Sequence, residues 1–452
     1  MNENNRAEAL LVLLEAKQYN QLMNILDDMN AIDIAEALES LPFEKAVLIY
    51  RMLKKDCSVD VFAELPADMQ ERIIASVTDR ELSILIEELY VDDAVDMLEE
   101  LPAHVVKRVL KNADPNTRRL INQFLNYPED SAGSIMTAEM VHLHKDMTVE
   151  QAIQYIRNIG LEKETIYWCY VTDPTRVLEG LITIKDLIFA DPEDKIHDLM
   201  EEDIIFARTT DDREKVANLI TRYDLLALPI VDKENRLVGI VTVDDAVDVM
   251  EEEATEDFEK LAAILPSEKP YLKTGVFTHA KNRIGWLLLL MLSSMITVYI
   301  LSVFEAAFAA VPLLAFSLTM ISNTGGNAGA QSSTTIIRGM TLGEIESKDW
   351  LKVLWKECRV GIMVGGILGI FNYIRLILGY SNQLKACLAI SLSVLASVVI
   401  AKTIGCLLPL VAKLLKQDPA VMATPLITTI VDASTTLIYF TIASLLLGIS
   451  LS

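Results

Sequence analysis

Apolar positions change rhythm along the 452-residue chain. From residue 1 to about 130 they recur every three to four residues, the period of an amphipathic helix, with breaks at Leu41-Pro42, Leu65-Pro66 and Leu101-Pro102. Proline is tolerated in a first helical turn, so each Leu-Pro pair predicts that one helix ends and another begins just after it. The pairs are unevenly spaced, which predicts a small all-α superhelical domain rather than a regular solenoid. From about 136 to 255, short β-branched runs such as Thr165–Val171 and Leu228–Val231 alternate with helical segments, an α/β pattern. One acidic helix is then predicted over 246–264, stopped by Pro266. Five apolar stretches follow at about 284–304, 311–337, 353–379, 384–412 and 422–448. Each is long enough to cross a bilayer core, which takes about 20 helical residues.

The α/β region contains an internal repeat. Gly180-Leu-Ile-Thr-Ile-Lys-Asp186 returns as Gly239-Ile-Val-Thr-Val-Asp-Asp245, each copy leading into a helix. This Gly-x-x-Thr-x-x-Asp element resembles the CBS module, and two copies resemble a CBS pair. The resemblance implies that Thr183, Asp186, Thr242 and Asp245 contact an adenine nucleotide such as ATP. The alternative is that they cap the helices that follow. The expected architecture is multidomain: an all-α N-terminal superhelical domain (1–130), an α/β tandem CBS pair (131–199 and 200–250), a connecting helix (251–272) and a five-helix transmembrane domain (273–452).

Charge sharpens this division. Residues 1–272 hold 57 Asp and Glu against 27 Lys and Arg, whereas 273–452 hold 7 against 13. An acidic front of that size argues against nucleic acid as a partner, because phosphate binding needs Lys and Arg clusters. It favours cations. The five cysteines show no paired ligand spacing, and no nucleophile-base pair or P-loop appears, so the chain does not read as an enzyme. The start, Met1 to Arg6, has no basic region followed by an apolar run, which predicts a cytosolic N-terminus. Loop charges agree: Arg338, Lys348, Lys352, Lys356, Lys413 and Lys416 fall on the expected cytosolic side, against Arg375 and Lys385 outside. An odd number of spans puts the C-terminus outside.

Away from the ends of the apolar stretches only Lys402 and Asp432 are charged. Lys402 has a long stem and is expected to snorkel or to pair with a neighbouring helix. Asp432 is too short to snorkel, and an acid at that depth faces a partner or water. Thr424, Thr428, Thr429 and Thr435 place a polar stripe beside it. Pro425, about two turns earlier, is expected to loosen the helix and free main-chain oxygens. The second stretch carries the uncharged polar run Ser322–Thr335, in which Asn327 and Gln331 can offer neutral oxygens. Two copies of Asp432 on a two-fold axis would suit Mg2+, which keeps several waters and is held by one or two carboxylates.

Four segments carry a wider resemblance: Tyr127-Pro-Glu-Asp-Ser-Ala-Gly-Ser-Ile-Met-Thr137, Glu251-Glu-Glu-Ala-Thr-Glu-Asp257, Gly325-Gly-Asn-Ala-Gly-Ala-Gln-Ser332 with Arg338-Gly339, and Asp418-Pro-Ala420 leading to Asp432. Together with the domain order they resemble the MgtE family of magnesium channels over nearly the whole chain. The resemblance implies a homodimer in the plasma membrane that takes up Mg2+, with Mn2+, Co2+ and Ni2+ as further candidate ions. It implies Mg2+ at Asp432 with main-chain oxygen from Thr428, in a pore to which the polar run of the second stretch adds Asn327. It also implies regulatory Mg2+ that closes the gate, held by Asp92, Asp96, Glu214, Asp224, Asp245, Asp248, Glu253, Glu256 and Asp257. One departure is local: Ser322-Asn-Thr stands where more apolar residues are expected. Rival expectations are a gradient-driven divalent exchanger or efflux protein regulated by the CBS pair, and a non-transporting nucleotide or ion sensor.

Overall fold

The computed structural model of the chain describes residues 3–267, 271–272, 274–305, 311–422 and 424–448. Residues 268–270, in the expected connecting segment, and 423, in the fifth apolar stretch, lie outside these. The chain divides into two compact units, Met1–Glu251 and Glu252–Ser452.

The first unit opens with helices α1 (Glu3–Glu15) to α10 (Pro115–Phe124). As the Leu-Pro pairs predict, Pro42, Pro66 and Pro102 are the N-cap residues of α4 (Phe43–Tyr50), α6 (Ala67–Ser76) and α9 (Ala103–Asn112). Other starts use side chains. Thr78 and Glu81 form a capping box on α7 (Asp79–Glu88), and Asp114 caps α10 with Pro115 in its first turn. Leu38, Ile49, Phe62, Ile86, Val109 and Ile121 are fully buried along the stack. The same core continues into Val216, Ile230, Val241 and Val249 of the α/β region.

That region holds two three-stranded sheets with the same order. In the first, β1 (Met140–His144) runs parallel to β2 (Thr165–Thr172), which pairs antiparallel with β3 (Leu178–Thr183). In the second, β4 (Ala207–Arg208), β5 (Ala227–Val231) and β6 (Leu237–Thr242) repeat the arrangement. The repeated motif lies at equivalent places: β3 runs into α12 (Ile184–Phe189) and β6 into α15 (Val243–Leu261). Its glycine has a steric reason, because a Cβ on Gly239 would stand 2.6 Å from the Thr137 carbonyl oxygen. Between the sheet strands run α11 (Val149–Ile159), α13 (Ile196–Leu199) and α14 (Arg213–Tyr223).

Helix α15 ends at Leu261, three residues before the expected end at 264. Ala263 adopts a left-handed φ of 54°, and the Ile264 amide closes back on the Glu259 carbonyl at 2.9 Å. The turn, rather than Pro266, stops the helix.

The second unit contains α16 (Val276–Val303), α17 (Pro312–Thr341), α18 (Trp350–Gly379), α19 (Leu384–Leu414) and α20 (Thr424–Leu447). These five helices stand at the five apolar stretches. Among the described residues, the segments Val276–Val303, Ser347–Gly379, Ser381–Leu414 and Pro425–Leu447 are long and apolar enough to cross a membrane on length and composition alone. At 30 residues α17 is also long enough, with its apolar character interrupted by the polar run that follows Ile321. It packs between α19 and α20 through small residues. A Cβ on Gly405 would collide with the Gly329 carbonyl, so the two backbones approach as only glycine permits. Tyr439 fixes the other end by donating to the Leu314 carbonyl at 2.8 Å.

One expectation is corrected. Helix α20 begins at Thr424, which puts Pro425 in its first turn. There the missing N–H removes no bond from the helix interior, so Pro425 starts the helix rather than loosening it.

Candidate ion site and carboxylate clusters

Asp432 lies half-buried on α20 where that helix meets the glycine-rich face of α17. Its Oδ1 accepts a hydrogen bond from the Ser322 hydroxyl at 2.7 Å. A Cβ on Gly326 would stand 3.1 Å from Thr428 Cγ2 and 3.9 Å from Asp432 Oδ1, so the absence of a side chain there keeps α17 against both residues. Thr428 is one turn before Asp432 on α20 and half-buried. On α17, Asn323, Asn327, Gln331, Thr334 and Thr335 are exposed on the single chain. Their spacing of three to four residues makes one polar stripe along a helix otherwise held by small and apolar contacts. Asn327 thus lies on the outward face of α17, whereas Asp432 and Ser322 meet at its inner contact with α20.

A second polar site joins three of these helices. Lys402 on α19 is 5% exposed. Its ammonium lies 3.5 Å from Glu357 Oε2 on α18 and donates to Ser332 Oγ on α17 at 3.2 Å. Ser332 in turn donates to Glu357. Lys402 therefore pairs with a neighbouring helix instead of snorkelling.

In the first unit, carboxylates gather around α8 (Val91–Glu100) and the start of α15. Burial, then the charges of Asp93, Asp245 and Glu139, hold Asp92 well above the ordinary carboxylate range. Burial and Asp245, Glu64, Asp60 and Glu139 push Asp93 to about 6. Glu164 is pushed to about 7 by burial and by Asp245, Asp244, Asp93 and Glu139. Asp245 and Asp248 are raised too, by burial first and by neighbouring acids second. Asp92 Oδ1 is buried without a hydrogen-bond partner. Burying such an oxygen without a partner is costly, and a divalent cation or a proton offsets the cost. Asp96 lies one turn beyond Asp92 on α8. Among the described residues no three His, Cys, Asp or Glu side chains are arranged to hold one metal.

In the second unit, the C-terminal half of α15 carries Glu253, Glu256 and Asp257. The Lys260 ammonium bridges Glu256 at 2.7 Å and Asp418 at 2.6 Å. Burial opposes the charge on Lys260, but these two carboxylates outweigh it and raise its pKa. Asp257 is raised by burial and by Asp418. Asp418 also caps the following turn by accepting from the Ala420 amide at 2.8 Å.

Comparison with known proteins bears on all of these residues. Family models match as "Divalent cation transporter" over residues 318–442, "MgtE intracellular N domain" over 29–130, and "CBS domain" over 132–193 and 196–252. The chain is 35% identical to the magnesium transporter MgtE of Thermus thermophilus, over 98% of this chain and 99% of the relative. The chain belongs to the MgtE family. It is also 34% identical to the MgtE of Bacillus subtilis, over 96% of each chain. Among solved structures it resembles the cytosolic domain of the Mg2+ channel MgtE in complex with ATP, at 34% identity and a TM-score of 0.51, over 54% of this chain and 99% of that one. The soluble part of a magnesium transporter matches with 30% identity and a TM-score of 0.53, over 56% of this chain and all of the other.

Against that family background, the structure gathers the predicted residues unevenly. It brings Asp92 near Asp245 and Asp257 near Asp418. Glu214 lies in the first turn of α14, and Asp224 ends that helix in a left-handed conformation with φ 52°. The four CBS positions form two local pairs: Thr183 and Asp186 make a capping box on α12, and Thr242 Oγ1 donates to Asp245 at 2.5 Å. Sequence reasoning missed Asp93 and Glu139 beside Asp92, Glu164 beside Asp93 and Asp245, Lys260 between Glu256 and Asp418, and Glu357 beside Lys402. Glu139, Glu164, Asp418 and Glu357 are distant in sequence from the groups they face, whereas Asp93 adjoins Asp92 and Lys260 stands at helical spacing from Glu256, a signal that was there to be used. Ser322 also left a signal, as the polar residue where an apolar one is expected.

Proposed function

We propose that the chain forms a homodimeric, Mg2+-selective channel of the plasma membrane that mediates magnesium uptake and is closed by cytosolic Mg2+. One observation carries this reading: a half-buried carboxylate, Asp432, sits within an apolar helix at its crossing with a polar, glycine-rich partner. An acid at that depth is costly in lipid and is kept where it meets water or an ion. Asp432, main-chain oxygen from Thr428 and the Asn327 amide are assigned to the pathway. The exposed polar stripe on α17 supports a second copy, since lipid is a poor environment for it and a shared aqueous path is a good one. The exposed apolar side chains of α16, among them Leu288, Leu292 and Met295, suit contact with membrane lipid. An odd number of spans places the C-terminus outside.

The domains are assigned as a helical domain over 1–130, CBS modules over 131–199 and 200–250, a connecting helix over 251–272 and a pore domain over 273–452. Regulation is assigned to Asp92, Asp96, Glu214, Asp224, Asp245, Asp248, Glu253, Glu256 and Asp257. Bound divalent cations relieve the repulsion among these acids and favour the compact, closed state. Falling Mg2+ restores the repulsion and opens the channel. The solved relative that carries ATP supports an adenine nucleotide at the CBS pair, with Thr183, Asp186, Thr242 and Asp245 as candidate contacts.

The test is divalent flux into liposomes holding the native chain or Asp432→Ala. Saturable Mg2+ uptake that is lost in the variant is expected. Uptake that survives the substitution removes Asp432 from the pathway, and uptake that tracks a proton or Na+ gradient replaces the channel with an exchanger.

A further inference from the structure

We propose that Ser322 fixes how Asp432 can bind the permeating ion, and is thereby a determinant of selection for Mg2+ over larger divalent cations. The inference rests on Asp432 being a pore ligand, as set out above. Ser322 and Asp432 are both half-buried, and the 2.7 Å hydrogen bond engages Oδ1. Among the described residues Oδ2 has no donor. Two nearby hydroxyls are turned elsewhere: Thr435 Oγ1 donates to the main-chain carbonyl of Asp432 at 3.3 Å and Thr429 Oγ1 to the Pro425 carbonyl at 3.0 Å. Asp432 therefore presents one oxygen that carries no hydrogen bond among the described residues and one that already accepts from Ser322.

That arrangement discriminates by coordination chemistry. Mg2+ demands near-octahedral geometry, keeps most of its waters and is satisfied by a single carboxylate oxygen or by a water between. Ca2+ is larger, sheds water readily and takes carboxylates through both oxygens. With Oδ1 already accepting from the serine, two-oxygen capture has to share or displace that hydrogen bond, a competition that one-oxygen or water-mediated binding through Oδ2 avoids. Position 322 is also where the sequence departs from the apolar residues expected before Gly325. The departure thus falls on the side chain that touches the pore acid.

The experiment compares Ca2+ and Mg2+ flux in liposomes for the full-length native chain, Ser322→Ala, Ser322→Thr and Asp432→Ala. The ratio of Ca2+ to Mg2+ flux is expected to rise about tenfold in Ser322→Ala, the scale of one hydrogen bond to a charged group. Ser322→Thr, which keeps the hydroxyl, is expected to return the ratio to within about twofold of native on the same scale. A ratio that does not move in Ser322→Ala overturns the inference while leaving Asp432 as the ligand, provided Asp432→Ala abolishes flux. If Asp432→Ala conducts normally, the pore assignment and this inference fail together. A Ser322→Ala protein that is folded but carries neither ion also overturns it, because the freed carboxylate should still bind cations.

Discussion

The Ser322 hydroxyl and the Asp432 carboxylate, 110 positions apart in sequence, meet at 2.7 Å across the contact between α17 and α20. The meeting depends on Gly325, Gly326 and Gly329, which let the backbones close in. A Cβ at Gly325 would reach 2.8 Å from Thr435 Cγ2, and one at Gly329 would reach 3.2 Å from the Ala401 carbonyl oxygen. The polar contact at the candidate ion site is therefore a product of close helix packing.

The same packing predicts the effect of the smallest side chain. Gly405→Ala would drive a methyl into the Gly329 carbonyl, which is backbone and has little room to yield. Overpacking of this kind costs about 1–3 kcal/mol. A lower midpoint of thermal unfolding in detergent is expected, with reduced Mg2+ flux; an unchanged midpoint would show that the helices have room to separate.

The buried pair of Lys402 and Glu357 predicts strong non-additivity. Lys402→Met leaves Glu357 and Ser332 without their cation and should destabilise by about 3–5 kcal/mol, the cost of breaking one side of a buried pair. Glu357→Leu added to Lys402→Met should recover most of that loss, since neither charge then remains unpaired. A double-mutant cycle on denaturation in detergent measures the coupling. Additive losses would mean that the two side chains do not share their energy.

The carboxylates around Asp92 predict the direction of pH dependence. Asp93 titrates at about 6 and Glu164 at about 7 in the folded chain, above the ordinary carboxylate range. The folded state thus binds more protons than the unfolded state between that range and about pH 7. Stability must fall as pH rises through this window, and the full cost is present above it. In metal-free buffer, thermal unfolding of the first unit is expected at higher temperature at pH 5.5 than at pH 8, as ~2.3RT per proton taken up and per pH unit requires. Mg2+ at pH 8 should produce a similar rise. Asp93→Asn should diminish both responses, and a midpoint that is flat in pH would contradict the burial of these acids.

Regulation can be separated from conduction through Asp92. Its buried, unpartnered Oδ1 makes it an acid that gains from a nearby cation. Asp92→Asn should stabilise the metal-free protein and raise the Mg2+ concentration needed to inhibit flux several-fold, about 1 kcal/mol in coupling. Flux at low Mg2+ tests that the pore is intact, and unaltered inhibition would take Asp92 out of the regulatory set.

Sequence periodicity by itself determined the helical front, the two CBS-like copies and the five long helices, because each is written in local spacing. Leu-Pro pairs mark helix starts at Phe43, Ala67 and Ala103, and the glycine-threonine-aspartate repeat marks equivalent strand ends. Asp432 also stood out, since one acid in an apolar run needs no partner to be noticed. Local pattern was less exact where geometry intervened: Pro425 falls in a first turn, and a left-handed Ala263 ends α15 early. Only the tertiary structure decided what each charge faces. Lys402 meets Glu357, Lys260 meets Asp418, and Asp92 meets Asp245 under burial. The physical reason is that electrostatic energy depends on distance and on exclusion of water, and chain folding sets both across separations that carry no trace in local sequence.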